Sequence, residues 1–438
     1  MPRIMNASRS LGWMARAHRD ERGQMAILFV LTLLVVFIFF ALAFDAGLWY
    51  FDHRTAQNQA DAAALAAVQE LPDTDTGEAT TAADKWLTKN GSGPGERSCL
   101  EYSDRNGDGK PDTVRVCVGR PSPGIFAALS NIDFVHVSAA ATATVVEEPS
   151  LYSLMALNND PACKSTFLVH GNATVSVTGG GGTYTRCESP PPKCGLLVSG
   201  TSAQLVTGVN DVFGCGTTNG GATVEPPPTQ QVALDDPFAD LQQPTVSGSC
   251  LPGSHNYTSG SHTLSPGRYC DQLQVSSTAL VTLQPGVYVL HKGLKVTGSG
   301  RFTSDLNGNG VLDPGEEVLL YDTCASSPCN GARPGDMEIT GSVNVALKGV
   351  PAYHNIVIWV DRTAGAGSLV KLGGSAAAGV DGTVYALKSE VDIDGSGVAT
   401  LTLNMAIVAD TINVGAGTIT IPYDPLLAPP IRRIALIE

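Results

Sequence analysis

Met25 to Phe44 is an apolar run of twenty residues in which only Thr32 is polar. As a helix it would span roughly 30 Å, the thickness of a bilayer's hydrocarbon core. A cleaved secretory signal has a shorter apolar stretch, of about 7–15 residues, followed by a small-x-small site. This run instead passes into Asp45, Trp49 and Tyr50, and the aromatic pair suits a membrane–water interface. The pattern predicts a retained transmembrane helix, with a cleaved signal as the alternative. Helical spacing continues beyond it, with Ala60, Ala64, Ala67 and Leu71 on one face, until Pro72 and "DTDTG". A stripe of such small residues either admits a neighbouring helix or fills a solvated face.

The pattern then shortens. "EATTAADKWLTKNG" reads as a short helix stopped at Asn90-Gly91, and "SCLEYSDRNGDGKPDTVRVCVGR" as a hairpin. If Ser103 pairs with Thr113, Cys99 faces Cys117 across the strands at disulfide distance. "GIFAALSNIDFVHVSAAATATVV" predicts a short helix and a strand, which completes a small α/β module over residues 72–148.

From residue 149 to 438 apolar-alternating runs of four to six residues recur between Gly, Ser and Asn, as in "GLLVSGTSAQLVTG" and "TLTLNMAIVADTINVGAG". The fold class expected is mainly β. The runs read as imperfect copies of one small unit, which favours a parallel β-helix, a solenoid, over an immunoglobulin-like sandwich. "PPPTQQVALDDPFADLQQP", in a Pro-rich stretch near 218–249, cannot join a ladder and reads as a surface connector.

Charge sharpens the topology. The net charge is −14, but residues 1–24 carry five Arg against Asp20 and Glu21, so the remainder sits near −17. All the arginines of that segment precede the apolar run, which places the N-terminus in the cytoplasm and the body outside. An acidic body lacks the basic footprint that nucleic acid requires.

Two acidic loops carry candidate chemistry. In "DLNGNGVLDPGEE", Asp305, Asn307, Asn309, Asp313 and Glu316 occupy positions one, three, five, nine and twelve of a calcium loop. Gly310 takes the turn position, and Val311 can offer its carbonyl. In "DRNGDGKPDTVR", Asp104, Asn106, Asp108 and Asp112 open the same pattern over residues 104–115, but Arg115 stands where the closing Glu belongs. The calcium expectation is therefore stronger for 305–316.

All ten cysteines lie beyond the span, where disulfides are the default. Cys187 and Cys194, and Cys324 and Cys329, are close neighbours and candidate partners, although sequence does not fix the connectivity. No CxxC and no metal-ligand histidine spacing is present. "ALKSEVDIDGSG" lines up Lys388, Glu390, Asp392 and Asp394 on one face of a strand, with Val391 and Ile393 inward. That row is the one place where a carbohydrate-active β-helix enzyme could keep its carboxylates. A row of charge on the wet face of a strand is the plainer reading, and no catalytic residue is assigned.

"RGQMAILF", the apolar run, the exit "FDAGLWYFDHR" and "AQNQADAAALAAVQEL" together resemble the N-terminal segment of TadG-like proteins of Flp (tight-adherence) pilus assembly. Related pseudopilins are cut after a Gly with Glu at the fifth following position; after Gly23 that position is Leu28, which favours an intact anchor. Farther on, "TLQPGVYVLHKGLKVTG", "GTVYALKSEVDIDG" and "AIVADTINVGAG" resemble rungs of the β-helical part of such proteins. The resemblance implies a cytoplasmic tail (1–23), a transmembrane and juxtamembrane helix (24–71), the α/β module and the β-helix-like body. It implies partners in the membrane and among other pilus-assembly or envelope proteins, with self-association possible, and a structural or adhesive role. A membrane-tethered carbohydrate-active enzyme and a pilus-independent adhesin are the competing readings.

Overall fold

The computed structural model describes residues 21–71, 76–93, 95–107, 109–158, 160–188, 193–395 and 400–437. The chain divides into two units. One contains everything up to Val146 together with Arg432 onward, and the other runs from Glu147 to Ile431.

The first unit is built on α1 (Glu21–Val68), which continues without a break from the apolar run into the polar segment. Side chains from Met25 to Phe40 are all exposed, whereas Ala56, Ala60, Ala63, Ala64 and Ala67 are fully buried. The buried alanines pack against α2 (Gly77–Lys89) and a sheet formed by β1 (Arg97–Ser103), β2 (Thr113–Pro123) and β3 (Phe134–Pro149). The small-residue stripe thus receives the chain's own sheet: Val114, Val116 and Val118 from β2, with Ala139, Ala141 and Ala143 from β3. Small side chains on both surfaces let helix and sheet approach closely. Ser103 stands opposite Thr113, and Cys99 opposite Cys117, to which it is bonded. The last strand of the chain, Pro430–Ile437, joins β3 in this sheet. The sequence boundary of 149–438 for the body is corrected accordingly, because the terminal residues belong with the first unit.

The second unit is a set of parallel ladders. The first runs through Gly267–Tyr269, Gly286–Leu290, Val318–Asp322, Ile356–Val360, the start of Val380–Asp394, the start of Met405–Ala416, Tyr152–Leu157, Gly182–Arg186, Val209–Phe213 and Thr229–Gln230. In a second ladder Leu273, Leu294, Met337, Val370, Val391, Ile412, Phe167 and Leu196 follow one another as direct neighbours, all buried. A third family includes Val281, Phe302 and Val345 in the same relation. Every strand of this kind puts alternate residues inward, so the core is made of stacked columns, each large buried side chain contributing roughly 1.5–3 kcal/mol. Parallel pairing throughout these ladders excludes the antiparallel sandwich.

The ladder order differs from the chain order. The early strands, from Tyr152 on, stack against the late strand Met405–Ala416, with Ile407 beside Leu154 and Ala409 beside Ala156. The chain therefore finishes its first block at Thr229–Gln230 and must return to the opposite end before Gly267. Residues 231–249 make that return. Pro226–Pro228 lie at the turn just before Thr229, so the connector proper is shorter than the sequence suggested.

This return segment crosses the outer face of the first ladder, where Tyr184, Met155, Val408, Tyr385, Trp359, Tyr321 and Val289 form a buried column. Tyr184 Oη donates to Val232 O at 2.9 Å and accepts from Leu234 N at 2.8 Å. Tyr385 Oη donates to Asp236 at 2.6 Å, and the Phe238 ring packs edge-on against Tyr385. Arg362 donates to Leu241 O at 2.8 Å, to Ala239 O at 3.2 Å and to Phe238 O, while its Nε donates to Tyr385 Oη. Gln243 reaches Tyr321 Oη. Five strand spacings separate Tyr184 from Tyr321, about 24 Å, a span that roughly ten residues cover with slack enough for the turn at residues 237–240.

The disulfides follow the ladders. Cys163–Cys187, Cys194–Cys215, Cys250–Cys270 and Cys324–Cys329 all lie in the turn that leads from the first ladder into the second. Cys187 and Cys194 are not bonded to each other. Each instead reaches the cysteine of an adjacent turn, because parallel stacking brings equivalent corners of neighbouring turns together. Gly214, at φ +114, serves this corner: a Cβ there would collide with the Cys187 carbonyl oxygen.

Candidate functional site

Asp45, the first ionisable residue after the apolar run, is 2% exposed. Its carboxylate accepts three backbone N–H groups from the β2–β3 loop: Ile125 at 2.9 Å, Phe126 at 3.0 Å and Ala127 at 2.6 Å. The amides lead into and open a 3-10 turn, Ala127–Ser130, whose first N–H groups would otherwise lack acceptors. Phe44 and Phe126 meet edge to face at 5.9 Å. Gly124 permits the approach, since a Cβ there would come within 3.3 Å of the Trp49 ring. About two and four turns farther along α1, Asp52 accepts from Ser122 Oγ and Gln59 accepts from Arg120 while donating to Asn90 O. The polar residues of this segment thus bolt the helix to its own sheet. Their role is invisible in the sequence, because their partners lie 60 to 80 residues away. Asp45→Ala is expected to cost about 1 kcal/mol locally. Hydrogen exchange at the amides of residues 125–127 would then speed up while that of Val114–Val118 is unchanged.

Both acidic loops are built alike. Asp305 accepts Gly308 N at 2.6 Å and Gly310 N at 2.8 Å; Asp104 accepts Gly107 N at 2.6 Å and Gly109 N at 2.8 Å. All four glycines have positive φ. In the longer loop Glu316, buried, accepts the amides of Leu306 and Asp313, closing position twelve onto positions two and nine. Asp313 accepts the side-chain amides of Asn307 and Asn309, whose own oxygens take the N–H of Asn309 and of Val311. In the shorter loop Asp112 accepts the amides of Arg105 and Asn106, and Arg115 lies out on β2 opposite Glu101. Asp108 lies outside the described residues. Among the described residues no three acidic, histidine or cysteine side chains are grouped so as to hold a metal. The loops nevertheless present the right class of donor, hard oxygen, and Asp305, Asp313 and Glu316 have no ion-pair partner among the described residues.

The charged row on Val380–Asp394 faces outward, with Ser389, Val391 and Ile393 buried. Asp392 is held above the usual carboxylate range by burial, against the opposing pull of Lys371 at 3.9 Å.

A long exposed apolar helix, bolted at its base to a small sheet, followed by a parallel β body, defines a helix-anchored β protein. Residues 23–70 match the family model described as putative Flp pilus-assembly TadE/G-like, so the N-terminal segment is similar to that family over the apolar run and the polar part of α1. No curated protein and no solved structure matches the chain.

Proposed function

We propose that this protein is a single-pass membrane component of Flp-type pilus assembly, N-terminus cytoplasmic, with an extracytoplasmic parallel β-helix as its structural or adhesive body. The observation that carries the reading is the match of residues 23–70, which coincides with the exposed apolar helix and includes the buried Asp45 at its base. The arginines before the span support the orientation, and five disulfides support an oxidising compartment. Strands that return to three ladders in turn support the β-helix. Other pilus-assembly or envelope proteins are the partners this reading implies.

Calcium belongs to the same reading. Asp305, Asn307, Asn309, the Val311 carbonyl, Asp313 and Glu316 would hold it, and Asp104, Asn106, Asp108 and Asp112 would form the weaker site. Such an ion neutralises three carboxylates within twelve residues and ties one excursion of the chain to its own base. Calcium is expected to raise the unfolding temperature by about 2–4 °C. Asp305→Asn should abolish that rise; equal rises in parent and variant would refute the site.

Protease accessibility tests the topology. The body should be cut in cells with a permeabilised outer envelope, while an N-terminal fragment stays in the membrane pellet. A body shielded under those conditions would overturn the proposal. The competing enzyme reading would need hydrolase or lyase activity that is lost when Lys388, Asp392 and Asp394 are changed together to Ala.

A further inference from the structure

The β2–β3 loop and the first residue of β3, Gly124 to Phe134, carry an exposed apolar surface. Leu129 is 86% exposed, Ile125 58%, Phe134 54% and Ile132 47%. Leaving four large apolar side chains in water within eleven residues is costly, and a patch of this kind marks an interaction surface. Asp45 fixes where the patch lies. By accepting the amides of residues 125–127, it holds the loop at the level where the apolar run of α1 ends, and the Phe44–Phe126 contact makes the two apolar surfaces continuous. The Trp49 ring lies beside the same loop, where a Cβ added at Gly124 would come within 3.3 Å of it, and Tyr50 and Phe51 are exposed next to Trp49 on the helix.

We propose that this loop is a second membrane contact, seated in the interfacial layer of the bilayer beside the exit of α1. The occupant is lipid, at the boundary between headgroups and acyl chains. Asp133 is the one charged side chain in the loop, and it sets the depth: the loop lies in the interface rather than in the hydrocarbon core. One helix alone leaves the unit free to tilt. A second contact from the same unit limits that tilt and so fixes the orientation of β1–β3 relative to the membrane plane. Asp45 is then a positioning residue for the loop, which explains an acid placed directly at the end of an apolar span. The inference rests on the reading of α1 as a membrane span.

Short-range quenching separates the two. The full-length protein would be reconstituted in vesicles of phosphatidylcholine and phosphatidylglycerol whose acyl chains are brominated near the carbonyl end. Leu129→Trp adds an emitter at a side chain that is 86% exposed, and Trp49→Phe removes the native one at the helix exit. Differences from the parent isolate each position. The expected result is loss of both emissions in brominated vesicles relative to unbrominated ones. Quenching of Trp49 with undiminished emission from position 129 would overturn the loop contact and leave the span standing, as if another protein covered the patch. Emission undiminished at both positions would sink the span and the loop contact together.

Discussion

Replacing Asp322 with valine is expected to stabilise the protein by about 2 kcal/mol at pH 7, the scale of an unpaired polar group taken out of a core. Asp322 ends the strand Val318–Asp322 and points inward, standing between Leu290 and Val360 in its column. It is fully buried, and neither carboxylate oxygen has a hydrogen-bond partner among the described residues. Burial first, then the nearby charges of Asp336 and Asp361, push its pKa well above the carboxylate range; the Gly293 amide opposes this only weakly. Asp361 is the contrast: it too is penalised by burial, but hydrogen bonds from Thr323, Thr363 and Tyr321 outweigh that and lower its pKa.

The sign for Asp322 follows from linkage. Above about pH 4 the unfolded chain gives up this proton while the folded chain keeps it, so the parent loses stability as pH rises, by up to about 1.4 kcal/mol per unit. Valine carries no proton, so the advantage of Asp322→Val should be small at pH 4 and grow toward neutrality. Thermal unfolding of both proteins in detergent from pH 4 to 8 reads this directly. A constant difference across that range, or a destabilised variant, would refute the account.

Arg362→Ala should have the opposite effect, a loss of about 3 kcal/mol, because it removes one partner from a desolvated network. The guanidinium joins Tyr385, Asp236 and three carbonyls of the return segment, and it lies 5.0 Å from the Trp359 ring centre and 5.3 Å from that of Tyr385. Without it the carbonyls of Phe238, Ala239 and Leu241 lose their shared donor, and residues 231–249 are held by their tyrosine contacts and by Arg186 at Leu234 and Asp235. Limited proteolysis should then cut within that segment under conditions where the parent stays whole. Arg362→Lys should restore little, since a single ammonium cannot serve a planar array of acceptors. A variant as resistant as the parent would show that the tyrosines suffice.

Much of this was legible from local pattern. The length of the apolar run, the α2 stop at Asn90, the register that sets Cys99 against Cys117, and the inward side of Val391 and Ile393 all follow from spacing within one or two elements. What escaped was relational. Short strands of one texture pair equally well in many orders, so nothing in "YSLMAL" announces Met405–Ala416 as its neighbour. The partners of Cys187 and Cys194 were hidden for the same reason. Nothing in the local sequence sets Arg362 or Asp322 apart, and only the ladder order reveals that one clamps a distant loop and the other is stranded in the core. Asp45 stood out as the acid at the helix exit, but its loop partner lies 80 residues on.

The stacking of Leu154 on Ile407 has a consequence for biogenesis. On a growing chain, the first half of the body emerges with one apolar flank bare and cannot cover it until some 250 residues later, when its neighbour is made. Assembly of this domain is therefore a post-translational event, vulnerable to wrong pairing between copies for as long as that flank waits.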